Sequence, residues 1–319
     1  MRRFEVWNVV VLTSVGLAIT LFLLYGYCQR SAEPVVDVYP GSVPAIPYVP
    51  PVSRSSSDKL WGAYEARDFS QLQNKVGKKA DIEAVFLGWG DSFPLHETHL
   101  KAHGQILFIF WEQYGVTLDQ ILGGSQDAYI AQFAADAKTY DGEVRLAPFS
   151  EMNGEWSPWG GVAEGNTPAK VIEAWKHIHA LFADASNVEF VWVVNQESVP
   201  DTPENSIASY YPGDEFVDYV GVDGFNFGKP WQTYDQIFTS ALMQLRKYDK
   251  PILVTSMSCA PGQQKSTWIK DALFKIYADP DIVGFVWFNE NKEGQGEWEA
   301  NWLVDSDHDS LEEFRNAVK

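Results

Sequence analysis

Hydrophobic positions in this chain form short continuous runs, and most of these runs are followed by an amphipathic stretch. From residue 59 onward, each apolar run ends at a turn. Strands that are apolar on both faces and alternate with helices are typical of a parallel sheet covered by helices. The predicted strands are Leu60–Tyr64, Ala84–Gly88, Ile106–Trp111, Val144–Phe149, Phe190–Val194, Tyr219–Asp223, Ile252–Ser256 and Ile282–Phe288.

The amphipathic stretches between these runs predict helices. The clearest are Ser125–Tyr140, Pro168–Ala185, Thr233–Tyr248 and Lys265–Tyr277. Eight strand–helix units in about 260 residues match a (β/α)8 barrel. A doubly wound open sheet is the alternative, but no glycine-rich phosphate loop follows the first strand. We therefore predict an α/β fold, a (β/α)8 TIM barrel over residues 59–319.

The N-terminal segment carries a longer apolar run. No charged residue lies between Trp7 and Tyr27, and Val9–Leu24 is almost wholly apolar. About 20 such residues span a bilayer. Because Arg2 and Arg3 precede the run, the N-terminus is expected in the cytoplasm and the barrel outside it. A cleaved signal peptide is the alternative, but no small-x-small cleavage site follows. We predict a single-pass anchor in the cytoplasmic membrane, over residues 1–30.

Residues 31–58 differ in composition from both neighbouring segments. They contain six prolines and a polar run, Ser53–Ser57. Proline-rich, weakly apolar sequence does not bury a core and tends to be extended. We predict a Pro/Ser-rich linker that holds the barrel away from the membrane, with packing along a partner as the alternative.

Charge and composition narrow the classes of partner. The formal net charge is -19, which argues against nucleic acid, because phosphates require a basic surface. The chain also contains 13 Trp and 14 Tyr, and an uncharged polymer suits an acidic, aromatic surface. Its two cysteines, Cys28 and Cys259, do not make a disulfide framework and are expected to be free thiols. The sequence indicates no cofactor and no metal.

Candidate chemistry gathers where the predicted strands end, because barrel active sites lie at the carboxyl ends of the strands. Glu151 follows the fourth strand directly, and the loop after it carries Trp156 and Trp159. Cleavage of a glycosidic bond needs a carboxylic acid beside the scissile oxygen, and flat apolar side chains hold sugar rings. The other candidates are Glu112, Trp192, Asn195, Asp223, Phe225, Ser256, Trp287, Asn289 and Glu290. Trp192 and Trp287 have a second interpretation, as filling of the barrel.

Four segments together resemble glycoside hydrolase family 26, the group that contains β-mannanases, some β-1,3-1,4-glucanases and β-1,3-xylanases. They are SEMNGEWSPW at 150–159, YPGDEFVDYVGVDGFN at 211–226, KPILVTS at 250–256 and VWFN at 286–289. The first is similar to the family's His-Glu-Met-Asn-Gly pattern. The resemblance implies that Glu151 is the general acid/base and that Trp156 and Trp287 are sugar platforms.

The same resemblance shows departures around the reaction centre. The family's nucleophilic Glu corresponds to Ser256, and the Tyr that hydrogen-bonds that nucleophile corresponds to Phe225. The His before the acid/base corresponds to Ser150, and the Arg four residues before it to Ala147, with Arg145 nearby on the same strand face. A serine without an adjacent base is a poor nucleophile at an anomeric carbon. We expect Glu151 and Ser256 to face each other across the mouth of the barrel.

Three functions remain open at this point. The first is a catalytically impaired barrel that binds a β-linked polysaccharide outside the cytoplasmic membrane, as an accessory to exopolysaccharide synthesis or secretion with a membrane polysaccharide synthase as partner. The second is an active endo-β-glycanase of the β-mannanase or β-1,3-1,4-glucanase type. In it, Glu151 is the acid and Asp223 or Glu290 activates a water. The third is a scaffold that binds proteins.

Overall fold

The computed structural model describes residues 59–95 and 106–319. The predicted anchor, residues 1–30, and the predicted linker, residues 31–58, lie outside this part of the chain. Within the described ranges, none of the helices combines the length and the apolar character that crossing a bilayer requires.

The described chain folds into a closed barrel of eight parallel strands that follow one another in sequence order. This confirms the predicted (β/α)8 architecture. The strands are β1 (Leu60–Glu65), β2 (Ile82–Gly88), β3 (Ile106–Glu112), β4 (Val144–Pro148), β5 (Val188–Asn195), β6 (Tyr219–Asn226), β7 (Ile252–Cys259) and β8 (Ile282–Asn289).

Helices cover the outside of the barrel. They are α1 (Phe69–Val76), α2 (Leu118–Leu122), α3 (Asp127–Lys138), α4 (Pro168–Leu181), α5 (Tyr234–Leu245), α6 (Lys265–Ala278) and α7 (His308–Val318). Their starts follow from local sequence: Thr167 caps α4 just before Pro168, and Thr233 forms a capping box with Gln236 at α5. The four predicted helices are present with ends shifted by a few residues, whereas α1, α2 and α7 were not predicted.

Two apolar layers stabilise the barrel, because successive side chains of a strand point to opposite faces. The interior layer includes Phe108, Phe110, Ala147 and Val193. The outer layer lies between the strands and the helices. It includes Ile109, Leu146 and Trp192, which alternate along the strands with the residues of the interior layer. Both faces of each strand are therefore buried, as the continuous apolar runs predict.

An irregularity in β7 positions the centre of the mouth. Val254 pairs with Val222 of β6, but the next pair joins Ser256 to Asp223, so β7 contains one extra residue here. The same extra residue appears against β8, between Val254 and Met257. Bulges of this kind redirect side chains and are common beside active sites. Because Met257 belongs to the outer layer, alternation turns Ser256 toward the barrel interior.

Candidate active site

A strained turn after β4 presents Glu151. The strand ends at Pro148, and both Phe149 and Glu151 have φ of 55°, in the left-handed region that non-glycine residues rarely adopt. The Glu151 N–H donates to the carbonyl of Val193 in β5 at 3.1 Å, which ties the turn to the neighbouring strand. The predicted position of Glu151, just beyond a buried strand, is confirmed.

The Glu151 carboxyl group is held by an indole. Trp156 Nε1 donates to Glu151 Oε2 at 2.7 Å. Burial raises the pKa of Glu151 to about 7, while the Trp156 hydrogen bond partly opposes that rise. A carboxyl group with this pKa is populated in both protonation states near neutral pH, which suits general acid–base catalysis.

Asp223 of β6 is a second buried carboxyl group at the mouth. It is 4% exposed, and Thr255 Oγ1 donates to its Oδ1 at 2.5 Å. Burial and the nearby charge of Glu151 raise the pKa of Asp223 well above its usual range, against the hydrogen bond from Thr255. Asp223 therefore keeps its proton to a higher pH than an ordinary aspartic acid, and it interacts electrostatically with Glu151.

Ser256 lies directly beside Asp223. The two residues are paired across β6 and β7, and Ser256 is 4% exposed. Within residues 59–95 and 106–319, no hydrogen bond engages the Ser256 hydroxyl. Asp223 therefore interacts with Glu151 electrostatically and is paired with Ser256 in the sheet. That Glu151 and Ser256 face each other across the mouth stays a prediction.

Further charged groups lie where β3 and β8 end. Burial and the charge of Glu151 raise the pKa of Glu112 to about 7, although Lys292 opposes this. Burial also raises the pKa of Glu290, and the positive charge of Lys292 again opposes this rise. Tyr64 interacts electrostatically with both carboxyl groups: burial and the charges of Glu290 and Glu112 raise the pKa of Tyr64 to about 12. The mouth is acidic, and Lys292 interacts electrostatically with both Glu112 and Glu290.

An aromatic wall, formed by Phe225, Phe227, Phe288 and Trp302, borders this acidic group. The Phe225 ring lies 5.6 Å from Phe288 and 5.3 Å from Trp302, and Phe227 lies 5.6 Å from Trp302. Trp298 meets Phe227 edge-on at 5.9 Å. Phe225 was predicted at the site. The partly exposed Trp298 was missed, although two tryptophans after β8 were a visible signal in the sequence; the other, Trp302, is 2% exposed and supports the wall from within.

The structure corrects the assignment of Trp192 and Trp287 as sugar-binding residues. Both are 0% exposed and belong to the outer layer between strands and helices. Trp192 packs against Tyr211 at 5.1 Å, and Trp287 Nε1 donates to the carbonyl of Trp302 at 3.1 Å. Their side chains point away from the barrel interior, so neither offers a face to a sugar.

Trp159 has a supporting position. It is 3% exposed, and its Nε1 donates to the Ser150 carbonyl at 2.8 Å while its ring meets Tyr114 at 4.9 Å. Trp159 therefore holds the turn that carries Glu151, and the prediction that Trp159 binds the substrate is wrong, because its ring is buried. Trp156 is only partly buried and stays at the mouth.

The remaining polar candidates are engaged in local hydrogen bonds. The side chain of Asn195 donates to the Glu197 carbonyl at 2.7 Å, and that of buried Asn289 donates to Glu65 at 2.6 Å. Arg145 lies toward the amino end of β4, with its guanidinium 4.1 Å from the Tyr219 ring centroid, where β6 begins. It does not replace the arginine that the resemblance places at Ala147.

Comparisons with known proteins agree with this geometry. The model of "Glycosyl hydrolase family 26" matches residues 109–307. "Endoglucanase H" of Acetivibrio thermocellus is 34% identical over 267 residues, which are 79% of this chain but 28% of that protein. "Mannan endo-1,4-beta-mannosidase" of Bacillus subtilis strain 168 is 24% identical over 201 residues, covering 59% of this chain and 50% of the relative. The chain thus spans between about a quarter and a half of these two relatives.

Solved structures show the same fold. The catalytic domain of Bacillus sp. JAMB-750 GH26 endo-beta-1,4-mannanase superposes with a TM-score of 0.61 at 18% identity, over 82% of this chain and 86% of that one. A GH26 beta-mannanase from Bacteroides ovatus gives a TM-score of 0.58 at 17% identity, over 82% and 89% of the two chains. With the matching family model, these likenesses establish that the chain belongs to glycosyl hydrolase family 26.

Proposed function

We propose that this barrel binds a β-linked polysaccharide across its mouth and is impaired as a retaining glycosidase. The observation that carries the proposal is Ser256, an inward-facing serine paired with Asp223, at the position that the sequence resemblance assigns to the family's nucleophilic glutamate. A retaining glycosidase needs two carboxyl groups roughly 5–5.5 Å apart, one as acid/base and one as nucleophile. Ser256 removes the second of these groups.

Asp223 is poorly suited to replace the missing nucleophile. It is almost fully buried, it accepts a hydrogen bond from Thr255, and its raised pKa favours the protonated form. A protonated carboxyl group is a weak nucleophile. Phe225 supports the same conclusion, because its ring packs against Phe288 and Trp302 and has no hydroxyl to orient a carboxylate.

Binding has its own structural support at the mouth. Phe225 and Phe227 near the end of β6 and Trp156 after β4 are partly exposed at the mouth, where carboxyl groups are available to accept hydrogen bonds from sugar hydroxyls. The relatives named as an endoglucanase and as mannan endo-1,4-beta-mannosidases favour β-glucan and β-mannan as the glycans to test first. No cofactor or metal takes part in the proposed binding.

We also propose that residues 1–30 anchor the protein in the cytoplasmic membrane and that residues 31–58 hold the barrel outside it. Arg2 and Arg3 before the apolar run support this orientation. A barrel so placed meets a polysaccharide as it leaves the cell, which suits an accessory of a membrane polysaccharide synthase in exopolysaccharide synthesis or secretion. A mature N-terminus mapped at or beyond Ala32 would contradict the anchor.

A second candidate function is hydrolysis by a rearranged site. The electrostatic interaction between Glu151 and Asp223 favours it, because inverting glycosidases use two carboxyl groups roughly 6.5–9.5 Å apart. In this case Glu151 protonates the leaving oxygen, and Asp223 or Glu290 activates a water.

One experiment separates the two functions. The full-length chain, purified in detergent, is incubated with β-mannan, mixed-linkage β-glucan, cellulose and xylan, and both cleavage and retention are measured. We expect retention of at least one glycan with little cleavage, and retention that Glu151→Gln leaves nearly unchanged. Rapid cleavage that disappears in Glu151→Gln would overturn the impaired barrel and favour the rearranged hydrolase.

A further inference from the structure

We propose that the proline-rich residues 43–52 dock across the amino end of the barrel, on the face opposite the mouth. This face, the base, is formed by inward-pointing residues where the strands begin: Leu60, Ile106, Arg145, Glu189, Tyr219 and Val283. The docking is a contact within one chain, and it does not depend on the glycan that the mouth binds.

The base exposes part of the apolar interior. Leu60 of β1, Ile106 of β3 and Val283 of β8 pack against the interior layer but are only partly buried. Deeper members of the same layer, Phe108 and Leu253, are 0% exposed. Covering the partly exposed side chains removes apolar surface from water, which favours the docked state.

A buried donor at the base has no acceptor. Arg145 is 3% exposed, and its Nε donates to Glu143 at 2.7 Å while its Nη2 donates to the Tyr219 hydroxyl at 3.1 Å. Glu189 adds a second negative charge, 3.8 Å from Nε. Within the ranges that the structure describes, Nη1 is buried and has no hydrogen-bond partner. Because buried donors are nearly always paired in native proteins, Nη1 points to an acceptor from another part of the chain.

Residues 43–52 suit this face by composition. They contain four prolines and no charged residue, and they carry the apolar side chains of Ile46, Tyr48 and Val49. Prolines at 44, 47 and 50 give two overlapping Pro-x-x-Pro spacings, which favour a polyproline II conformation. A polyproline II segment makes no internal hydrogen bonds, so its carbonyls are available to Arg145. Such segments also bind beside aromatic side chains, a role that fits Tyr219.

The chain enters the barrel at the base, so the segment is close by. Lys59 directly precedes β1, and its Nζ donates to the carbonyls of Asp279 and Ile282, where β8 begins. Residues 53–58 lie between Lys59 and the segment and span up to about 20 Å. Eight tilted strands about 4.8 Å apart close a barrel roughly 15 Å across. The segment therefore reaches any point of the base, and about five residues of polyproline II cover its width.

Charge and tethering favour this occupant over a second copy of the chain. The formal net charge is -19, so two copies repel each other, and Glu143 and Glu189 add negative charge at the base itself. Residues 43–52 are uncharged, and the short connection to Lys59 gives them a high effective concentration at the base.

Docking sets the direction in which the mouth points. The mouth lies at the carboxyl ends of the strands, opposite the base. With residues 43–52 held on the base, residues 31–42 remain between the barrel and the proposed anchor. The mouth then faces away from the membrane, and this consequence alone depends on the anchor.

Photo-cross-linking within the full-length chain in detergent tests the contact. The photoreactive residue p-benzoylphenylalanine takes the place of Ile106 at the base or, as the control, of Val162, which is 39% exposed in the loop after β4. We expect mass spectrometry to find the probe at Ile106 joined to residues 43–52 of the same chain, and the probe at Val162 not joined to them. Mixing isotopically light and heavy chains distinguishes a link within one chain from a link between two.

Thermal melting of a double-mutant cycle tests the role of Arg145. Ile46→Ser/Tyr48→Ser/Val49→Ser should lower the melting temperature by about 2–4 °C. Arg145→Lys keeps a positive charge beside Glu143 but has no Nη1, and its loss should add to that of the triple variant by less than the simple sum, because both remove one contact. Val35→Ser/Val36→Ser/Val38→Ser, earlier in the same proline-rich stretch, is the matched control and should melt with the wild type.

Each result decides one step. Absence of a link from Ile106 to residues 43–52, or an equal yield from Val162, would overturn the docking. Links only between light and heavy chains would overturn it in favour of a second copy. Fully additive melting shifts would refute the contact with Arg145. Glycan retention is measured separately, so failure of the docking leaves the proposed function standing.

Discussion

At the residue scale, two side chains near Asp223 lack the carboxylate and the phenolic hydroxyl that the family resemblance leads one to expect at a retaining site. Ser256 is its partner across β6 and β7, and Phe225 follows it by two positions on the same face of β6. The hydroxyl of Ser150, before the acid/base, donates a hydrogen bond of 3.3 Å to the Ala147 carbonyl. The substitutions therefore surround one reaction centre, and restoring one of them leaves the others without their partners.

We predict that Ser256→Glu alone gives little retaining hydrolysis and that Ser256→Glu combined with Phe225→Tyr and Ser150→His gives at least about ten times more. The groups act as a unit, so their effects are not additive. Ala147→Arg is left out because Ala147 is fully buried in the interior layer, where an arginine would not fit. The measurement is release of aryl alcohol from aryl β-mannosides and β-glucosides.

The matched control for this triple variant is the same variant with Glu151→Gln, which should lose the gained activity. Equal activity in the single and triple variants would show that a carboxylate at Ser256 suffices and that Phe225 is irrelevant to catalysis.

At the element scale, the strands and four of the helices followed from the sequence because burial on both faces leaves continuous apolar runs. The same property explains why Trp192 and Trp287 were misplaced: an apolar run does not tell which side chains face inward. The β7 bulge was not visible, since it exists only in the register with β6 and β8. Glu151 and Ser256 could be assigned to strand ends because their motifs are contiguous, whereas the aromatic wall combines residues near the ends of β6 and β8 with Trp302 from the loop after β8.

The assignment of tryptophans to layers gives a second prediction. Trp287→Ala should lower the free energy of unfolding by about 3–5 kcal/mol, because it opens a cavity between β8 and the helices. Trp156→Ala should leave thermal stability nearly unchanged and weaken glycan retention, because Trp156 lies at the mouth beside Glu151. Thermal melting and affinity electrophoresis on glycan gels measure the two effects. A stable Trp287→Ala protein that loses retention would show that Trp287 reaches the sugar.

At the scale of the whole molecule, the acidic mouth makes stability depend on pH. Burial raises the pKa of Glu112 and Glu151 to about 7 from an ordinary value of 4.5. Between these values the folded state binds more protons than the unfolded state, so these two groups stabilise the fold less as the pH rises. The pKa values of Asp305 and Asp307 are lowered from an ordinary value of 3.8. Their contribution to the free energy of unfolding therefore changes with pH mainly below 4.5 and is nearly constant above it. His179, whose pKa burial lowers, opposes the trend near its ordinary value of 6.5.

We therefore predict that Glu112→Gln/Glu151→Gln melts above the wild type at pH 7.5, with a difference that shrinks toward zero as the pH falls to 4.5. At pH 4.5 both wild-type carboxyl groups are protonated in the folded state and about half protonated in the unfolded state, so the amides gain little. In a barrel of this size roughly 1 kcal/mol corresponds to about 2–4 °C, and several degrees are expected at pH 7.5. Glu164→Gln/Glu204→Gln, at two exposed positions, removes the same number of charges and is the control, which should show no such pH dependence. A melting difference that is constant between pH 4.5 and 7.5 would mean that Glu112 and Glu151 titrate normally in the folded protein. In that case Glu151 would be about half ionised at pH 4.5 and almost fully ionised at neutral pH, and the acid–base role assigned to it would fail.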